Sequence, residues 1–312
     1  MTVDDRGVAR ARQVIDSLAL FAQSDRHALG VTRLGGTTNL VFRIDAGGEH
    51  YVLRVPGKGT EEYINRAHEA QAARETARAQ VSPAVLHFDA ATGVMVTRLV
   101  DNAVTMTPAT FRTRSEAPAR AGAVLRNLHR SDAQFSFRFE LFAMIDDYLK
   151  VLAGKDTVLP PGYHDVVNEA SVVRAALAAH ALPLVACHCD PLCENFLDTG
   201  DRMWLVDWEY SGMNDPMWDL GDVAVEAGFD AAQEEEMMRG YFDGEARPID
   251  RGRIVIYKAM CDLLWTLWGL IQHANKNPAE DFWAYSFTRF ERCKQLMATA
   301  DFPRHVENVR KG

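Results

Sequence analysis

The chain has 312 residues, 47% of them hydrophobic and 25% charged, with a formal net charge of -9. This is the composition of an ordered globular protein, long enough for one large domain or for two lobes sharing a cleft. The acidic balance, and a sequence without a Lys/Arg-rich block, speak against nucleic acid or an anionic membrane as partner.

The opening stretch MTVDDRGVARARQVIDSLALF starts with acids and lacks the basic-then-apolar order of a signal peptide. Val8, Ala11, Val14, Ile15, Leu18 and Phe21 recur at helical spacing and predict a helix over roughly 7–24. Three strand-like runs follow, at 31–34, 40–44 and 51–55, separated by Gly35-Gly36-Thr37-Thr38 and by the turn Asp45-Ala46-Gly47-Gly48. A helix over 61–79 is expected next, with Thr60 as N-cap and two glutamates in its first turn. Runs at 84–88 and 94–99 form a further hairpin around Ala91-Thr92-Gly93. The first hundred residues therefore read as a five-stranded antiparallel sheet with one long helix after the third strand. From about residue 100 helical patterns dominate, beginning at Thr107-Pro108, where proline at the first helical position forfeits an N–H that would be unpaired anyway. The lobe boundary is expected at 99/100. The densest apolar run, 263–271, has about half the ~20 residues needed to span a bilayer. Five cysteines, three of them crowded together, do not suggest a secreted disulfide framework. A cytoplasmic protein is expected.

The stretch CHCDPLCENF at 187–196 carries the densest chemistry. Asn195 is followed by a short strand, a turn at 199–202 and a second strand that delivers Asp207. In such a hairpin Asn195 and Asp207 lie close to opposite one another. An amide oxygen and a carboxylate at that place suit Mg²⁺, which prefers oxygen ligands and substrate phosphates. Asp190, one short loop away, is placed to accept the proton of a hydroxyl attacking a γ-phosphate. The cysteines invite a zinc reading instead. Cys187, His188 and Cys189 are adjacent and alternate in direction on an extended chain, and only Cys189 and Cys193 have zinc-ligand spacing. The cysteines read better as small buried hydrophobes.

The first lobe offers matching parts. Backbone N–H groups of Gly35, Gly36, Thr37 and Asn39 suit phosphates, although a glycine pair in a hairpin is by itself an ordinary turn. Arg54 sits in an apolar run where a charge needs a partner, and Glu69 on the following helix is in reach. Residue by residue, Arg54 reads equally as a phosphate-orienting arginine and as a solvated arginine on an edge strand.

This arrangement resembles the aminoglycoside phosphotransferase and choline/ethanolamine kinase superfamily. The similar stretches are Arg33 to Asn39, Tyr51 to Val55, Ile64 to Glu69, Leu125 to His129, His188 to Asn195 and Leu205 to Tyr210. The string Asp207-Trp208-Glu209-Tyr210-Ser211-Gly212, continuing to Asp219-Leu220-Gly221, looks like the choline kinase branch. The resemblance implies an α+β, two-lobed, protein-kinase-like fold with a five-stranded nucleotide-binding lobe (1–99) and a mainly helical catalytic lobe (100–312). It implies ATP and Mg²⁺ as cofactors, Asp190 as base, Asn195 and Asp207 as metal ligands, and His188 as a brace for the loop. Arg54 with Glu69 would contact phosphates, and the backbone at Arg98 to Val100 would meet adenine. Arginine rather than the lysine of the antibiotic-kinase branch stands at position 54, which favours the choline kinase branch and supplies a planar fork for bidentate contacts.

The acceptor is read from the last third of the chain. Trp265 and Trp268 share a helix face, and Tyr285 follows on the next helical pattern. Aromatics at this spacing are ordinarily core, yet around an acidic site they also suit a cage for a quaternary ammonium. Glu209, Tyr210 and Glu226 would add negative potential and another ring. The expected partner is a small alcohol carrying a cationic amine, choline or a relative. The rival readings are a kinase of the same fold acting on an antibiotic, thiamine or a sugar-like alcohol, and a non-catalytic ligand-binding relative. The intact Asp190, Asn195 and Asp207 disfavour the last.

Overall fold

A computed structural model describes residues 3–26, 28–35, 39–57 and 64–312. Gly36, Thr37 and the expected N-cap Thr60 lie outside the described residues. The N-terminal helix α1 (Val3–Ser17) is shorter than its periodicity predicts, because a separate 3₁₀ turn at Ala19–Phe21 takes over the last apolar positions.

Strands β1 (Gly30–Gly35), β2 (Leu40–Ala46), β3 (Glu49–Val55), β4 (Val85–Phe88) and β5 (Met95–Arg98) form the expected antiparallel sheet, in spatial order β1-β2-β3-β5-β4. Helix α2 (Arg66–Arg78) follows β3 but starts later than expected: Asn65 is its N-cap, accepting from the amides of Ala67 and His68. An Asx side chain is a strong cap because its oxygen satisfies donors that have no helical partner. One face of the sheet closes over α1 around Ala11, Ile15, Phe21, Phe42, Ile44, Leu53 and Val96. The buried alanines of α2, with Val81 and Phe88, belong instead to the larger helical core.

The rest of the chain comprises α3 (Pro108–Thr113), α4 (Ala117–His129), α5 (Leu141–Ala153), α6 (Tyr163–Ala179), α7 (Met217–Glu226), α8 (Ala231–Tyr241), α9 (Pro248–Ala274), α10 (Phe282–Met297) and α11 (Phe302–Lys311). Thr107 and Thr110 make a capping box ahead of Pro108, as the Thr-Pro pair predicts. Five short strands are threaded among them: β6 (Val104–Thr105), β7 (Val185–Cys187), β8 (Phe196–Asp198), β9 (Met203–Leu205) and β10 (Gly212–Asn214). Strand β8 pairs with both β6 and β9, and β7 pairs with β10.

Two contacts between helices set the site. Helices α4 and α8 cross so closely that a Cβ added at Gly240 would fall 1.9 Å from the carbonyl oxygen of Ala119. That approach brings His129 to Tyr241. Helix α9 is longer than the apolar run inside it and passes a length-and-hydropathy test for a membrane span, but 78% of that window is buried. It is the central helix of the core, with α7, α10 and α11 packed around it.

Candidate active site

The hairpin β8–β9 places the central residues. Phe196 pairs with Leu205, and the Val206 amide donates to the Asn195 carbonyl at 3.0 Å, so Asn195 and Asp207 emerge side by side. The Asn195 amide nitrogen donates to the Asp190 carbonyl at 3.0 Å. That bond ties loop to hairpin and leaves the amide oxygen as an acceptor. His188 is buried, and its Nε2 donates to the Val206 carbonyl at 2.9 Å. Its ring lies 4.8 Å from that of Trp208. Burial holds its pKa below the ordinary histidine value. A neutral ring bonded to the residue before Asp207 braces the hairpin.

Two residues here hold left-handed backbone, Cys189 (φ 66°) and Asp207 (φ 69°). Such a conformation is costly for a side chain with a Cβ and persists where the surroundings fix it. Asp219, fully buried on α7, fixes the first: its carboxylate accepts from the amides of His188 (2.7 Å) and Cys189 (2.8 Å). His129 Nε2 donates to the same carboxylate at 2.9 Å, and the Tyr241 hydroxyl donates to His129 Nδ1 at 2.9 Å. The Trp218 indole donates to the Cys189 carbonyl at 3.1 Å. The loop before Asp190 is thus clamped from α4, α7 and α8. Cys187, Cys189 and Cys193 are free and buried, their thiols pushed up in pKa by burial, which agrees with a packing role.

Across the cleft, Arg54 is 4% exposed on β3, a central strand, so the solvated-edge reading does not hold. It forms an ion pair with Glu69, donates to Asp207 at 3.1 Å and lies 3.6 Å from Glu209. Arg66 donates to Glu69 and to Glu209, each at 2.7 Å. Asn39, buried just before β2, donates to Glu209 at 3.1 Å. Glu209 therefore sits with the two arginines of the sheet half, whereas the sequence reading grouped it with the aromatic rings. Arg66 belongs to this group although only Glu69 was singled out on its helix.

The carboxylates are crowded. Burial, then the charges of Glu226 and Asp207, push the Asp190 carboxyl up to about 8, and burial with Glu209 beside it pushes Asp207 up to about 7. Carboxyls raised in this way mark a site short of positive charge. Asn195 and Asp207 offer hard oxygen donors beside that deficit, a donor set that fits Mg²⁺.

The aromatic residues are contiguous. Tyr210 packs on Trp265 (ring centroids 5.4 Å), Trp265 on Trp268 (6.3 Å) and Trp268 on Tyr285 (5.9 Å). Trp265 is 4% exposed, while Trp268 and Tyr285 are half-buried. Arg289, which the sequence reading missed, covers the ring of Tyr285 with its guanidinium at 4.5 Å and donates to Glu226 at 2.6 Å. A Tyr-x₃-Arg pair at helical spacing beside an apolar face was the available signal. Trp283 lies outside this group, against His273.

Arg98, Leu99 and Val100 line a cavity of about 480 Å³ with Pro83, Asp101 and Trp204. The amides of Arg98 and Leu99 are engaged by the carbonyls of Ala84 (2.9 Å) and His50 (3.1 Å). Gly35 ends β1, where the register with β2 shifts.

Residues 30–254 match the phosphotransferase enzyme family. A choline/ethanolamine kinase family protein from Mesorhizobium loti superposes with a TM-score of 0.90 at 63% identity, covering 98% of this chain and all (100%) of that one. Choline kinase LicA from Streptococcus pneumoniae superposes with a TM-score of 0.77 at 26% identity, covering 93% of this chain and 99% of that one. Protein LicA of Haemophilus influenzae is 26% identical over 281 residues, 87% of this chain and 81% of that protein. With the five-stranded sheet on a helical half, these likenesses confirm the kinase-like α+β fold. The chain belongs to the choline/ethanolamine kinase family of phosphotransferases.

Proposed function

We propose that the protein transfers the γ-phosphate of ATP to the hydroxyl of choline or a related cationic amino alcohol, and that the lobes divide at 99/100. The observation that carries this reading is the contiguous aromatic group Tyr210–Trp265–Trp268–Tyr285, joined through Arg289 and Glu226 to the neighbourhood of Asp190. Rings of this kind hold an ammonium by ~1 to 2 kcal/mol for each well-placed face. An acidic base beside them suits the alcohol end of the same small molecule.

In this reading Asp190 orients the acceptor hydroxyl and receives its proton as the oxygen attacks phosphorus. Its raised pKa makes it a stronger base than an ordinary carboxylate. Asn195 and Asp207 would hold Mg²⁺, which when bound neutralises charge on the nucleotide phosphates. Arg54, pinned by Glu69 and bonded to Asp207, directs its guanidinium to the phosphates. Gly35 at the end of β1 and buried Asn39 just before β2 would border the same phosphates, the role the sequence also suggests for Gly36 and Thr37. The backbone at Arg98 to Val100 meets adenine. Because the Arg98 and Leu99 amides are already bonded, the base edge falls to Val100. His188 acts through the hairpin, not on the substrate.

The test is acceptor-dependent ADP release with choline, ethanolamine, thiamine and an aminoglycoside. Choline or ethanolamine is expected to give the highest kcat/KM, and Trp268→Leu to raise its KM about tenfold with the KM for ATP unchanged. Thiamine or the aminoglycoside as best acceptor, or equal effects of Trp268→Leu on both KM values, would reject the amino-alcohol reading.

A further inference from the structure

Behind the aromatic group lies a set of charges that the phosphoryl-transfer chemistry does not use. On α7, Asp222 and Glu226 are four residues apart and share a helix face. On α9, Asp262 is 1% exposed at its side chain; on α10, Arg289 is 8% exposed. Arg289 donates to Glu226 at 2.6 Å and to Asp262 at 3.2 Å, while Arg292 donates twice to Asp262, at 2.6 and 2.5 Å. Asp222 accepts from the Cys261 thiol at 3.1 Å. Burial and the neighbouring Glu226 charge push its carboxyl well above the usual range.

Counting what is charged gives Glu226 and Asp262 against Arg289 and Arg292, which cancel. Among the described residues no arginine hydrogen bond reaches the Asp190 carboxylate, whereas Glu226 and Asp262 are each paired. The same guanidinium also takes a face of Tyr285 that an ammonium would otherwise use.

Resting on the amino-alcohol reading above, we propose that Arg289 is a specificity-determining residue that restricts the acceptor to a single positive charge. With Arg289 in place, the aromatic group takes one ammonium, and a second cationic centre on the acceptor finds Glu226 already paired and faces the guanidinium. Like charges brought together in a buried site repel strongly, so the restriction is a selective one. Without Arg289, Glu226 and a face of Tyr285 become a second cation site.

The experiment compares kcat/KM for a monocation, choline or ethanolamine, with that for dicationic diaminopropanol, in the wild type, Arg289→Gln and Arg289→Lys. The wild type is expected to favour the monocation strongly. Arg289→Gln is expected to narrow that preference by about tenfold or more, and Arg289→Lys, which keeps the charge, to retain it. An unchanged ratio in an Arg289→Gln enzyme whose KM for ATP is normal overturns the proposal. Should that variant not fold, Glu226→Gln decides: leaving Arg289 without this partner is expected to raise the monocation KM about tenfold, and no change overturns the proposal. A wild type that turns over no amine refutes the amino-alcohol reading itself; one that turns over monocations with a preference indifferent to Arg289 refutes this inference alone.

Discussion

Asp190 shows what a carboxyl set among other acids costs its fold. Burial and the charges of Glu226 and Asp207 hold it near 8. The folded, metal-free protein therefore keeps this proton from the ordinary carboxylate value of about 4 up to about 8, a range in which the unfolded chain has released it. The folded state binds more protons there, so stability falls as pH rises through that window. Asp190→Asn removes the titration. Its melting temperature in chelator should match the wild type near pH 4 and exceed it by several degrees at about pH 9. A difference that does not change with pH would contradict the raised pKa. That Asp190, Asn195 and Asp207 lie together was legible in the sequence, because one short loop and one hairpin join them. Arg289 and the position of Glu209 were not, because lateral neighbours on different elements leave no spacing to read.

Among the elements, α7 positions the loop. A nearly continuous buried stretch, Met217 to Val225, carries Asp219 at its start, where the carboxylate accepts from two loop amides and from His129. Asp219→Ala would leave three buried donors unpaired, each costing about 1–3 kcal/mol. Urea unfolding should show a loss of about 3 kcal/mol or more, and a loss under about 1 kcal/mol would mean that the clamp is not made. The signal was a pair of acids, Asp219 and Asp222, in an apolar run, but nothing local names the partners of Asp219, which come from α4 and from the loop before Asp190. The sheet was easier to read. Its strands run four to seven residues between recognisable turns. Strands β6, β7 and β10, two or three residues long, have no period to display and exist because a partner lies alongside. The start of α2 was misplaced because Thr60 and Asn65 are both good caps by type, and it is Asn65 whose side chain accepts from the first helical amides.

At the scale of the molecule, one buried ionic group bridges the sheet to the catalytic hairpin. Arg54 on β3 reaches Asp207, 153 positions away, and Asn39, just before β2, reaches Glu209, 170 positions away. Helix α9 and its neighbours bring the aromatic face to the other side of Asp190. In the proposed function these become a phosphate-facing half and a cation-facing half flanking Asp190. The most direct test of that account follows the phosphorus atom by ³¹P NMR, with ATP, Mg²⁺ and choline or ethanolamine. The wild type should convert the γ-phosphate signal of ATP into the phosphomonoester of the amino alcohol with matching growth of ADP, and Asp190→Asn should lose at least about a hundredfold in rate. Free phosphate in place of the ester, or an Asp190→Asn enzyme as fast as the wild type, would contradict it.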